Sequence, residues 1–111
     1  MQIKNSKYYI YIILCENNVL YTGVTTDYKR RFMEHSGESG DKKGAKFTKS
    51  HIPIKIVALW KTDNRSNAQK LESRIKKLSH DEKEELINDR KYFKKVFNDE
   101  LEISIYRRIT C

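Results

Sequence analysis

The fold is decided by two neighbouring stretches, Tyr8-Tyr9-Ile10-Tyr11-Ile12-Ile13-Leu14 and Val19-Leu20-Tyr21-Thr22-Gly23-Val24-Thr25. The first is β-branched and aromatic on both faces, which is typical of a central strand with both sides buried. Glu16-Asn17-Asn18 supplies turn residues between the two stretches, so we predict a β-hairpin. The hairpin would form the centre of a small antiparallel sheet.

The segment after the hairpin predicts a short helix. Asp27 and the two threonines before it offer N-cap side chains to a helix over residues 28–36. Tyr28 and Phe32, four residues apart, would face the core. Arg31 and His35, at the same spacing, share an adjacent stripe. The helix therefore brings two basic side chains to one surface beside the sheet.

The remaining chain supplies a long loop, a third strand and more helices. Residues 37–51 are rich in glycine and lysine and predict a loop, and residues 53–60 alternate like a strand that closes a three-stranded sheet. Ser66 and Ser79 each begin a capping box that predicts a helix. After a further helical pattern, an edge strand is predicted through Leu101, Ile103 and Ile105.

We therefore expect an α+β protein in which a central, three-stranded, mostly antiparallel sheet is flanked by helices. The main domain would span residues 1–88. A C-terminal extension over residues 89–111 would pack on it or be appended to it. The chain has 111 residues, which leaves little room for a second domain.

Net charge indicates the class of partner. With 23 Lys and Arg against 15 Asp and Glu, the formal charge is +8, which favours a polyanion, nucleic acid before an anionic membrane. The alternative is that the charge only supports solubility. No apolar run approaches the roughly 20 residues that span a bilayer, and no secretory signal is visible.

Cysteine usage and the absence of a signal indicate a location inside the cell. Cys15 and Cys111 make no disulfide framework, as in a reducing compartment. These cysteines and the three histidines also lack the spacing of a zinc site. We expect a cytoplasmic protein that does not bind membranes, nucleoid-associated in a bacterium or intracellular if the source is viral.

Three separated segments carry candidate chemistry. The first pairs Tyr9-Ile10-Tyr11 with Tyr21-Thr22-Gly23 across the hairpin, so that two tyrosine hydroxyls approach one spot. The second is the basic stripe of Arg31 and His35 on the first helix. The third is Glu72, which lies beside the apolar face of a later helix.

In this ordered set the chain resembles the GIY-YIG nuclease family, in particular its small single-domain YhbQ-like (UPF0213-type) bacterial members. The two triplets stand where the family has Gly-Ile-Tyr and Tyr-Ile-Gly. Arg31, His35 and Glu72 follow in the family's order, over roughly residues 7–88. Two departures stand out. Tyr9 replaces the first glycine, and Glu84 stands where larger members often carry an asparagine, with Asn88 out of register.

The resemblance implies a small GIY-YIG-type fold and hydrolysis of DNA phosphodiester bonds with one divalent cation, Mg²⁺ or Mn²⁺. Glu72 would bind the metal as a hard oxygen ligand, and Arg31 would stabilise the phosphate. Tyr11 is favoured as the base that activates water, with Tyr21 orienting the phosphate or the water. Because the pKa of a tyrosine near 10 would have to fall by about three units, about 4 kcal/mol, two other routes stay open. One is a relay from His35 to a tyrosine, and the other is a water acidified by the metal.

Each residue also has an ordinary structural interpretation. The tyrosines would be packed aromatics, and His35 and the Arg30–Arg31 pair would be a solvated helix surface. Glu72 would be the ion-pair partner of Lys76, four residues later on the same helix. Taken in order and at the family's spacing, the catalytic interpretation is the one we favour.

Further basic residues are candidates for contacts with nucleic acid. Backbone phosphates would suit the loop lysines, with Phe47 available to stack on a base. The alternative is a solvated loop. The full set of candidate nucleic-acid-binding residues is Arg30, Lys42, Lys43, Lys46, Lys49 and Lys76.

Three functions are therefore distinguished. The first is a DNA endonuclease, with single-stranded, nicked or branched DNA as the expected substrates. The second is a non-catalytic nucleic-acid-binding module on the same fold. The third is a recruiting subunit of a DNA repair complex that acts through residues 89–111. The sequence leaves a protein partner or a homodimer open.

Overall fold

The computed structural model describes residues 7–36 and 52–110, apart from the side chains of His35 and Ser36. These residues form one antiparallel sheet in the order β2-β1-β3-β4, together with α-helices. The predicted α+β class is confirmed. The strands are β1 (Tyr8–Cys15), β2 (Val19–Thr25), β3 (Pro53–Thr62) and β4 (Arg107–Arg108), and the helices are α1 (Tyr28–Ser36), α2 (Arg65–Lys76), α3 (His80–Asn88) and α4 (Arg90–Phe97).

The hairpin of β1 and β2 forms as predicted. Its turn, Glu16–Asn18, is one 3₁₀ turn, in which Asn17 and Asn18 have φ of 63° and 60°. Asparagine tolerates this left-handed conformation better than most residues. The resulting register sets Tyr11 opposite Gly23 and Ile13 opposite Tyr21.

The central strand β1 is buried on both faces because its side chains alternate between two apolar clusters. The larger cluster lies between the sheet and helices α2 to α4 and contains Ile10 and Ile12. The smaller one contains Tyr11 and Ile13 and is covered by side chains of α1. Tyr28 and Phe32 of α1 pack there, as the helix pattern predicts for both.

The N-cap residues of α1 and α3 are the predicted ones, whereas that of α2 is not. Asp27 accepts a hydrogen bond from the Arg30 amide at the start of α1, and Ser79 forms the predicted capping box of α3. Helix α2, however, is capped by Asn64 rather than Ser66. The Asn64 side chain accepts from the Asn67 amide at 2.8 Å, which lets the helix begin earlier than predicted.

The C-terminal segment completes the large cluster. Phe97 and Tyr106 are buried in it, and the Tyr106 hydroxyl donates to the Asn67 carbonyl at 2.7 Å. Arg108 lies over the Trp60 ring and donates to carbonyl oxygens of α3. Deletion of this segment would therefore expose the core, so a truncation would not isolate a role in binding a partner.

The predicted edge strand through Leu101, Ile103 and Ile105 is wrong. Ile103–Ile105 is a 3₁₀ turn, and the edge strand is β4, which pairs Arg108 with Trp60. The reason is the length of β3. Its last residue is Thr62, so the residues before Tyr106 have no strand to pair with, and the sheet gains a short fourth strand after the turn instead.

The helices in the described part of the chain are all too short or too polar to cross a bilayer.

Candidate active site

Tyr11 lies at the centre of the candidate site. Its side chain is 2% exposed, and its ring lies across the backbone of Gly23 on the neighbouring strand. A Cβ atom at residue 23 would collide with the Tyr11 hydroxyl. Glycine in the Tyr21-Thr22-Gly23 triplet therefore provides the space in which the phenol sits.

Tyr21 lies on the same face as Tyr11, one step along the diagonal of the hairpin. The two ring centroids are 6.4 Å apart and the rings are tilted by 41°. Diagonal neighbours on one face are within reach of aromatic side chains. The hairpin thus brings the two predicted tyrosines together.

Arg31 reaches Tyr11 from α1. Its guanidinium hydrogen-bonds the Tyr11 hydroxyl, and its Nη1 also donates to Glu34 Oε1 at 2.9 Å. Partial burial lowers the pKa of Arg31, but the hydrogen bonds to Glu34 and Tyr11 outweigh burial and raise it overall. The arginine is therefore a fixed cation held between a phenol and a carboxylate.

Glu72 faces the site from α2. Its side chain is 24% exposed, and Oε2 lies 3.1 Å from Lys76 Nζ. The Glu72–Lys76 ion pair, which was the structural alternative to a catalytic role for Glu72, is thus present. The carboxylate is still close enough to Tyr11 for its charge to raise the pKa of the phenol, so the same side chain belongs to both environments.

The electrostatics of the site keep Tyr11 protonated. The pKa of Tyr11 is raised to about 12, chiefly by burial and to a smaller extent by the nearby charges of Tyr21 and Glu72. The hydrogen bond from Arg31 acts in the opposite direction. Half-ionising this phenol at pH 7 would need about 7 kcal/mol of additional stabilisation of the phenolate. Without substrate, Tyr11 is therefore a neutral hydrogen-bonding group.

The residues present suit a hard divalent ion held through one protein ligand. Within residues 7–34 and 52–110, no group of three or more His, Cys, Asp or Glu side chains lies close enough to hold a metal. A single accessible carboxylate suits Mg²⁺, because that ion retains several waters and takes its other ligands from substrate phosphates. Glu72 meets that description.

Several predicted site residues are not tested by this geometry. The side chain of His35 and the four loop lysines, Lys42, Lys43, Lys46 and Lys49, lie outside the described residues. Arg30 is 64% exposed and lies 3.9 Å from Glu34, and Lys76 is 55% exposed beside Glu72. Both remain accessible to a ligand from solvent.

Two features of the site are missing from the sequence prediction. Glu34 holds Arg31 in place, and an acid three residues after an arginine on a predicted helix could have indicated this pair. The steric role of Gly23 could not be read from sequence, because it depends on the cross-strand register with Tyr11.

Comparison with known proteins finds similarity over most of the chain. Residues 7–85 match the GIY-YIG catalytic domain family. A UPF0213 protein of Fusobacterium nucleatum is 46% identical over 81 residues, which cover 73% of this chain and 77% of the relative. A UPF0213 protein of Syntrophus aciditrophicus is 48% identical over 82 residues, covering 74% and 91%. The solution NMR structure of a UPF0213 protein from Bacillus halodurans is 33% identical, with a TM-score of 0.46 and coverage of 73% of this chain and 82% of that one.

Proposed function

This chain belongs to the GIY-YIG family, and we propose that it is a metal-dependent endonuclease that hydrolyses phosphodiester bonds in DNA. Membership of the family supports a nuclease role and DNA as the substrate. The observation that carries the proposal is the convergence of three elements on Tyr11. Arg31 of α1 donates to its hydroxyl, and Tyr21 of β2 and Glu72 of α2 act on its charge.

Arg31 is the proposed phosphate-binding group. A guanidinium presents a planar fork that matches two phosphate oxygens, and it stays charged throughout the physiological pH range. Its ion pair with Glu34 reduces the freedom of the side chain before substrate binds. The charge that develops on the phosphate would therefore meet a preorganised cation, which is the arrangement that contributes most to such reactions.

Tyr11 is the proposed proton-handling group. In the reaction, a water oxygen forms a bond to phosphorus and one bridging P–O bond breaks. The departing oxygen takes up a proton from solvent, and the proton of the attacking water must leave. We propose that Tyr11 accepts this proton while its own proton passes onward, through His35 or solvent, so that a free phenolate never accumulates. The raised pKa of Tyr11 supports a concerted relay over a resident base.

Glu72 is the proposed metal ligand, for a single Mg²⁺ or Mn²⁺. The bound ion would acidify water and withdraw charge from the phosphate. Tyr21 would orient the phosphate or the attacking water, since its ring lies beside Tyr11. Lys76, which pairs with Glu72, would move toward a DNA phosphate when the carboxylate takes up the ion.

We propose that exposed basic side chains beside the site contact the DNA on either side of the scissile phosphate. Arg30 and Lys76 are the exposed basic residues beside the site, and the loop lysines 42, 43, 46 and 49 would add to the contact surface. Phosphate contacts position a duplex or strand without reading its sequence. We therefore propose a structure-selective enzyme that acts on single-stranded, nicked or branched DNA.

The test is a cleavage assay on end-labelled duplex, single-stranded, flap and four-way-junction DNA, in Mg²⁺, Mn²⁺ or EDTA. Arg31→Ala and Glu72→Ala are compared with Arg65→Ala and Glu85→Ala, which remove the same charges from exposed positions on α2 and α3. We expect metal-dependent cleavage that both site variants lose and both controls retain. Equal cleavage by all four variants would indicate a contaminating nuclease and overturn the proposal.

A second candidate, a non-catalytic nucleic-acid-binding module, has its own supporting observation. The Glu72 carboxylate is paired with Lys76, and Tyr11 is a neutral phenol. The negative charge of Glu72 is therefore already compensated without a metal ion. This function predicts no cleavage of any of the four DNA substrates. It also predicts binding that weakens steeply with salt, because counterions are released from the phosphates.

A further inference from the structure

A second polar site lies at the far end of the sheet, where the C-terminal segment meets β3. It is a cavity of about 370 Å³, of the size that small ligands occupy. Three cationic side chains line it, from Lys7, Lys61 and Arg107, and the exposed Ser104 contributes a hydroxyl. The residues that line this cavity are distinct from those of the candidate active site.

The charges that line the cavity are not balanced among the described residues that line it. Lys61 stands directly opposite Arg107 in the β3–β4 register, and like charges in that relationship destabilise a sheet. Asp63 is the carboxylate that lines the cavity, and its Oδ1 is bound to Lys7 Nζ at 2.7 Å. Three cations and one carboxylate leave a net charge of +2, so an anion bound there would relieve the repulsion between Lys61 and Arg107.

The donors suit a tetrahedral oxyanion. Arg107 offers a guanidinium fork, and Lys7 and Lys61 offer ammonium groups. The Ser104 hydroxyl donates to Glu102 Oε2 over a long 3.4 Å, so it would donate to an anion only in exchange for that bond. The nearby Thr62 hydroxyl is already engaged, because it donates to the Ile105 carbonyl at 3.0 Å. Phosphate is the common biological anion with this demand for several cationic donors.

The cavity is related to the candidate active site through the sheet. Lys61 pairs with Tyr9, and Leu59 pairs with Tyr11, so Lys61 and Arg107 lie on the same face of the sheet as Tyr11. The row of Tyr9, Lys61 and Arg107 is displaced from the row of Tyr11 and Leu59 by roughly 6.7 Å along the strands, and Lys61 and Arg107 lie one and two strands across the sheet from β1. A nucleic-acid strand with one phosphate at Arg31 can therefore present another phosphate toward the cavity.

We propose that the cavity of Lys7, Lys61, Ser104 and Arg107 binds a phosphate group of the nucleic acid, as a second subsite apart from the one at Arg31. The proposal rests on nucleic acid as the ligand of the proposed function. Ser104 and Arg107 lie beyond residue 85, where the match to the family ends. The subsite is thus a contribution of the C-terminal segment of this chain.

The test measures binding without catalysis. A fluorescein-labelled DNA strand is titrated in EDTA with the full-length protein, with the double variant K61Q/R107Q, and with K94Q/K95Q. The latter removes the same charge from the exposed face of α4. We expect the cavity variant to bind about tenfold more weakly. The slope of log K against log salt should fall by about one, for the one phosphate that the variant no longer neutralises. The control should change by less than about threefold, as expected for exposed charges.

Equal losses in the two double variants would mean that only net charge matters, and no loss would mean that the cavity is not used; both overturn the proposal. Melting curves check folding, and the cavity variant should melt no lower than wild type, because it removes a like-charge pair. If inorganic phosphate shifts the NMR signals of Lys61 and Arg107 while DNA affinity is unchanged in the variant, the ligand is free phosphate and not nucleic acid. Cavity-dependent binding by a protein that cleaves no DNA would overturn the proposed nuclease activity and leave the subsite standing.

Discussion

The Tyr11 hydroxyl occupies the space that a side chain at residue 23 would fill. Tyr11 and Gly23 are paired directly across the hairpin, so the position of the phenol is set by the absence of a Cβ on its neighbour. Tyr11 is almost fully buried and hydrogen-bonded to Arg31, and it has little freedom to move aside. The glycine of the second triplet is therefore part of the site geometry.

Substitution Gly23→Ala should displace the Tyr11 hydroxyl and separate it from Arg31. A shift of about 1 Å at a reacting group can lower a rate on the order of 100-fold, and we expect a loss of that size in DNA cleavage. Single-turnover cleavage in Mg²⁺ measures it, with circular dichroism as the check on folding. Full activity in a folded Gly23→Ala protein would mean that the position of Tyr11 does not matter to the reaction.

Thr22→Val should stabilise the protein. The Thr22 hydroxyl is buried and has no hydrogen-bond partner among the described residues, so its loss of water is uncompensated. Replacing it with a methyl group of similar size should raise the free energy of unfolding by about 1 kcal/mol. Urea denaturation monitored by Trp60 fluorescence tests this, and cleavage should stay at the wild-type rate. A drop in stability would show that the hydroxyl is satisfied in solution.

Glu34→Gln should lower the rate of DNA cleavage without lowering the affinity for DNA. The substitution removes the ionic partner that positions Arg31, so the turnover rate kcat should fall about tenfold as the guanidinium loses its fixed geometry. The affinity for DNA in EDTA should be unchanged or higher, because a carboxylate is removed from beside the phosphate site. A parallel fall in rate and affinity would assign Glu34 a purely structural role. Glu34→Asp should recover part of the rate.

The raised pKa of Tyr11 predicts a stability change at high pH. A tyrosine whose pKa is higher in the folded protein stabilises the fold below its ordinary pKa of 10, and this contribution is lost as the pH rises toward 12. Between pH 9 and pH 12, wild type should lose about 2 kcal/mol more unfolding free energy than Tyr11→Phe does. Denaturation of both proteins at the two pH values measures this. Equal losses would mean that Tyr11 titrates as an exposed tyrosine does.

Local sequence signals predicted most of the fold. The apolar stretch of β1, the Asn-containing turn and the Ser79 capping box are short-range features, and each forms as expected. The failures involve competition between local signals and tertiary packing. Asn64 replaces Ser66 as the cap of α2, and the alternation around Ile103 does not become a strand, because β3 ends at Thr62.

The sequence predicted which residues form the candidate site, but not their burial or the pKa of Tyr11. The order of Tyr11, Arg31 and Glu72 along the chain identified three of the side chains that the structure brings together. Their energetics depend on burial, which no spacing reveals. Tyr11 as a resident base required a lowered pKa, whereas the pKa of Tyr11 is raised to about 12, chiefly by burial. The pairing of Lys61 with Arg107 likewise needed the register of the short β4 strand.

The central claim is that Glu72 supports metal-dependent cleavage of DNA at the Tyr11–Arg31 site. The most direct measurement is the single-turnover cleavage rate as a function of Mg²⁺ concentration for wild type, Glu72→Gln and the control Glu85→Gln. We predict no cleavage in EDTA, saturation with Mg²⁺ for wild type and the control, and a loss on the order of 100-fold or more for Glu72→Gln. Wild-type cleavage that persists in EDTA, or a Glu72→Gln protein as fast as wild type at every Mg²⁺ concentration, would contradict it.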